Sequence, residues 1–171
     1  VETNSEFKHQ RELSLQEFLL QQLPMLNLND LEYSISEFIV GSLDDNGFLS
    51  RSLLSITDDL LFKMNLEVSE YDLVPILKSI QTIEPIGVGA RDLQECLLIQ
   101  LENKAPIPSI TDAILLLSKH YSAFSNKNYE KLMRELKLSE DELKSAYKEI
   151  EMLNPKPGAS FSNQLEGNNY I

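Results

Sequence analysis

The chain has one cysteine, no tryptophan and only two histidines among its 171 residues. A single cysteine, Cys96, excludes an intrachain disulfide. With His9 and His120 far apart in sequence, no Cys/His cluster has metal-ligand spacing. No apolar run approaches the roughly 20 residues that span a bilayer, and the opening VETNSEFKHQ lacks the apolar core of a secretory signal. These absences lead us to expect a cytoplasmic protein in a reducing setting, with no metal, no cofactor and no membrane association. Glycines number six and prolines seven, so turns are sparse and their positions are informative.

Charge is plentiful but one-sided. Acidic residues outnumber basic ones 27 to 15, a formal charge of -12, while a 42% hydrophobic content suffices for a core. Residues 14–85 hold 12 acids against 3 bases, and residues 86–158 hold 11 against 10. Such a chain repels nucleic acid and favours a basic partner surface. A DNA-reading module would need basic recognition helices, which the first half lacks and the second only weakly offers.

Period-2 alternation is rare, and apolar residues recur at i, i+3, i+4 and i+8, so the chain reads as all-α. Helix starts carry a short polar cap with an acid three residues on: Ser14/Glu17, Asn29/Glu32, Ser69/Asp72, Asp92/Glu95, Ser109/Asp112 and Ser139/Glu142. Stops fall at Asp44-Asp45-Asn46-Gly47, Glu84-Pro85 and Asn154-Pro155, because a residue before proline is driven out of helical geometry. About eight helices are predicted, near 14–23, 30–43, 51–64, 69–83, 90–103, 109–125, 127–137 and 139–153.

An internal repeat is present. SLQEFLLQQL from Ser14 matches DLQECLLIQL from Asp92 with seven identities in ten, at an offset of 78. VSEYDLVPILKSIQTIEP from Val68 matches LSEDELKSAYKEIEMLNP from Leu138 at an offset of 70. The expected organisation is therefore two tandem, divergent four-helix units forming two packed helical subdomains. Their bounds are a linker over 1–13, a first subdomain over 14–85, a joint over 86–91, a second subdomain over 92–158 and a tail over 159–171.

Two stretches suggest ligand loops and fail on chemistry. Gly87-Val88-Gly89 follows no strand, and Asp92 stands where a dinucleotide fingerprint needs its third glycine. It reads instead as a joint in which Pro85 ends one unit, Gly87 and Gly89 reverse the chain, and Asp92 caps the next helix. In calcium-loop register, Asp44-Asp45-Asn46-Gly47 leads to Leu53 at the twelfth position, where a bidentate glutamate is required. No nucleophile has a local base, so no enzyme is expected. As candidate partner contacts we single out Asp44, Asp45 and Phe48 at the exposed turn, and Arg91, Gln94 and Glu95 at the joint.

The runs SLDDNGFLS, SIQTIEPIGVGARD, IGVGARDLQECLLIQL and LNPKPGASFS together resemble the core-binding region of the sigma-54 family, the enhancer-dependent sigma factors of bacterial RNA polymerase. The likeness covers roughly residues 13–165, and GVGARDLxECLLxQL is its most specific run. The resemblance implies an all-helical pair of subdomains, without catalysis, that attaches the sigma factor to core RNA polymerase through the beta flap and neighbouring beta-prime surfaces. It implies that promoter DNA is read by parts outside Val1–Ile171 and that the tail leads towards them. The first subdomain is expected as the main anchor, in a monomeric fragment. Without the resemblance, an acidic helical adaptor for protein-protein interaction would account for the repeats and charge.

Overall fold

The computed structural model describes residues 13–161. Among them there is no β-strand, and the chain divides into two compact units: residues up to Arg91 together with those from Lys156, and Asp92–Pro155.

In the first unit, α1 (Leu15–Gln22) runs into a 3-10 helix (Leu23–Leu26), followed by α2 (Asp30–Gly41), α3 (Leu53–Met64) and α4 (Glu70–Ile80). Pro24, which cannot donate a backbone hydrogen bond, falls where α1 gives way to the tighter turn, and Asn27 then closes it in left-handed geometry. Ser14, Ser52 and reciprocal boxes at Asn29/Glu32 and Ser69/Asp72 satisfy the amides that begin the four helices. Leu19, Leu23, Ile39, Leu60, Leu73 and Ile80 are fully buried, each on the apolar face of its helix or turn.

The second unit holds α5 (Leu93–Glu102), α6 (Pro108–Lys119), α7 (Tyr121–Ser125), α8 (Tyr129–Leu136) and α9 (Glu140–Glu151). Its core gathers Leu101, Ile110, Leu116, Leu117, Leu132 and Leu143. Tyr121, Phe124, Tyr147 and Tyr129 form a chain of ring contacts at its margin, and Tyr147 donates its hydroxyl hydrogen to the Phe124 carbonyl. Burial, with the neighbouring Tyr129 second, pushes the Tyr147 phenol up to about 12.

Two helix expectations are corrected. The helix predicted over 109–125 breaks at His120, whose backbone leaves helical geometry (φ -132, ψ 34) and whose Nδ1 lies 3.0 Å from a Glu135 carboxylate oxygen. The Ser109/Asp112 cap does not form: α6 begins at Pro108, and Ser109 instead donates to Glu149 at 3.2 Å. Residues 86–91 pack within the first unit, because Val88 is fully buried in its core. Residues 156–158 also group with the first unit. Residues 1–12 of the expected linker and 162–171 of the expected tail lie outside the described residues.

Candidate functional site

The expected partner turn, residues 42–50, is built by Asp44. Its Oδ1 accepts the Asn46 and Phe48 amides, both at 2.9 Å, and its Oδ2 accepts the Ser50 hydroxyl at 2.7 Å. The backbone amide of Asp44 donates to Phe48 O, and that of Gly47 to Asp44 O. Asp44 therefore shapes the turn, while Asp45 is the exposed acid and Phe48 is half-buried.

Two distant stretches converge on this turn. Gly89 N donates to Gly47 O at 2.9 Å and Leu49 N to Ala90 O at 2.8 Å, so residues 89–90 run beside 47–49. The buried Gln81 amide donates to Gly89 O at 3.0 Å. From the other direction, Gly158 N donates to Asn46 O at 2.9 Å. A Cβ on Gly158 would lie 2.6 Å from Asn46 C and Gly47 N, so backbone meets backbone and only glycine fits. Residues 157–161 are helical, and the Phe161 ring stacks on Phe18 with centroids 5.0 Å apart. Gly87 and Gly89 have positive φ, 107 and 80, as the expected reversal requires. Pro85 O accepts the Val88 amide at 3.2 Å.

The other expected contacts separate by role. Arg91 is exposed at the end of this stretch. Asp92 begins the second unit and caps α5 by accepting the Glu95 amide at 2.8 Å. Gln94 is a tie within that unit, its amide donating to Leu117 O on α6 at 2.7 Å, and the Glu95 side chain is half-buried.

Sequence reasoning missed two features. Gln22 and Gln100, equivalent in the repeat, each grip the residue before a proline: Gln22 bonds both backbone groups of Glu84, and Gln100 those of Asn154. The signal was present, since glutamine survives at that position in both copies. The second feature is the outer face of α3. Phe62 is 84% exposed, Leu54 57% and Leu61 44%, while Ile56 and Leu60 on the opposite side are fully buried. Beside that face, Arg51 pairs with Asp59 and Lys63 adds a weaker contact at 3.6 Å. The Arg51 hydrogen bond is the main reason the Asp59 carboxyl is held below its usual range.

No three carboxylate, histidine or cysteine side chains among the described residues group as metal ligands, and no helix among them is long and apolar enough to cross a membrane. The family model for the sigma-54 factor core binding domain matches residues 4–171. The chain belongs to the sigma-54 core-binding domain family. Proteins named RNA polymerase sigma-54 factor are similar to it. The one from Acinetobacter guillouiae is 37% identical over 155 residues, covering 88% of this chain and 32% of the relative. The one from Escherichia coli K12 is 36% identical over 150 residues, covering 86% and 31%, and the one from Pseudomonas aeruginosa UCBPP-PA14 is 35% identical over 149 residues, covering 86% and 30%. This sigma-54 core-binding segment thus spans about a third of the length of these curated relatives.

Proposed function

We propose that this chain is the segment by which a bacterial sigma-54 factor docks on core RNA polymerase in the cytoplasm, through the beta flap and neighbouring beta-prime surfaces, and that it carries out no chemistry itself. The match to the core-binding family along residues 4–171 carries this reading. The acidity of the first unit supports it physically: exposed like charges steer a body onto a basic surface and speed docking, while apolar residues at the contact centre supply most of the affinity. In this reading the first unit is the main anchor, and Asp45 and Phe48 are presented on the turn that Asp44 holds in shape. The second unit sets the approach of adjoining domains, with Arg91, Gln94 and Glu95 near its entry. Promoter DNA is contacted by other parts of the sigma factor.

Residues 86–91 and 156–161 complete the first unit, so the test uses the whole chain. Titrated against purified core polymerase and against duplex promoter DNA, it should bind the enzyme as a monomer and ignore the DNA. Its affinity should fall between about 0.05 and 0.2 M salt, because screening shortens the reach of exposed charges to about 10 Å at 0.1 M. Failure to bind core enzyme, or binding to DNA alone, would reject the reading.

A further inference from the structure

On α3, Leu54, Asp58, Leu61 and Phe62 follow the i, i+4, i+7, i+8 spacing that places side chains on one helix face. That face points away from the core, since Ile56, Thr57 and Leu60 are the buried residues of the helix. Isolated exposed apolar residues are ordinary, but three large ones along a single face of one helix form a contiguous apolar strip. Folding gives no return for exposing Phe62 at 84%.

The charge within the strip narrows the occupant. Asp59, one residue on, is neutralised by Arg51 and Lys63. Asp58 is exposed, and its carboxylate makes no hydrogen bond or ion pair to any described residue. A carboxylate enclosed in an apolar contact is costly unless a cation meets it. A second copy presenting the same face across a two-fold axis would bring two Asp58 carboxylates together, and an anionic lipid surface would be repelled. What complements the strip is a shallow apolar groove bearing one arginine or lysine.

Resting on the docking function above, we propose that the outer face of α3 is the apolar centre of the polymerase contact, with Phe62 as its anchor and Asp58 pairing with a basic side chain of the enzyme. An aromatic side chain filling a pocket is the usual source of binding energy at such a centre.

The test compares the whole chain with its Phe62→Ala, Asp58→Asn and Tyr71→Ala variants for affinity to core polymerase across a salt series. All three side chains are exposed, so circular dichroism and melting should stay unchanged. Phe62→Ala should weaken binding by at least about tenfold with the salt slope preserved. Asp58→Asn should weaken it severalfold and flatten the slope. Tyr71→Ala, on α4, should bind as the unmodified chain does. If the unmodified chain binds and both α3 variants match it, the α3 assignment is overturned while the docking function stands. The assignment is equally overturned if Phe62→Ala only converts a dimer to a monomer in gel filtration. If the unmodified chain does not bind, both fall together.

Discussion

The Gln22 side-chain amide closes a ring of two hydrogen bonds on the backbone of Glu84, donating to its carbonyl at 2.6 Å and accepting its amide at 2.9 Å. Gln100 repeats the ring on Asn154 at 2.7 and 2.9 Å. In each copy of the repeat, the residue before a proline has left the helix and lost its intrahelical partners. A glutamine on the opening helix of the same unit replaces both, so the first helix holds the end of the last.

Removing either glutamine should therefore destabilise its own unit, and burial sets the order. Gln100 is 9% exposed, whereas the Gln22 ring lies at the surface where water can substitute. Gln100→Leu should cost about 2 kcal/mol by stranding two backbone groups, and Gln22→Leu about 1 kcal/mol or less. Urea unfolding checks this, and equal losses at the two sites would contradict the argument from burial.

Gly158 and Gly41 make a matched pair. Gly158→Ala forces a Cβ to 2.6 Å from the Asn46-Gly47 backbone and should destabilise the first unit by about 1–3 kcal/mol. Gly41→Ala, at a helical position with nothing within 4 Å, should stabilise by roughly 0.5–1 kcal/mol. Thermal melts should move in opposite directions.

Cys96 is fully buried, and burial pushes its thiol from 9.0 to about 11, partly offset by a hydrogen bond from Gln100. The thiolate is the reactive form, so alkylation at pH 8 should be at least about a hundredfold slower in the folded chain than in urea. The folded value lies above the unfolded one, so the stabilisation is complete below about pH 9 and is lost as pH rises towards about 11. A folded chain that reacts as fast as the unfolded one would contradict the burial of Cys96.

The helices were legible because local rules dictate them: the Asn29, Ser69 and Ser139 boxes formed as spaced, and Asp92 caps α5. Ser109 misled because Pro108 already offered a preset first helical residue, which freed the serine to reach Glu149. Asp44 was read only as a candidate contact, and its part in holding the turn was not legible. Its oxygens are committed to Asn46, Phe48 and Ser50, which only the folded loop reveals. Gly158 was illegible as a partner of Gly47 for a related reason, since no local pattern announces a pairing across the whole second unit. The α3 strip escaped notice because its apolar residues merge in sequence with those facing the core.

The return of residues 156–161 to the Asn46-Gly47 turn also sets an order for synthesis. Residues 13–91 leave the ribosome before Asp92–Pro155, and residues 156–161, which complete their unit, only after it. At ~5–20 residues per second, the amino-terminal unit waits several seconds with Gly47 and Phe18 uncovered. The inserted unit, contiguous in the chain, can fold during that interval.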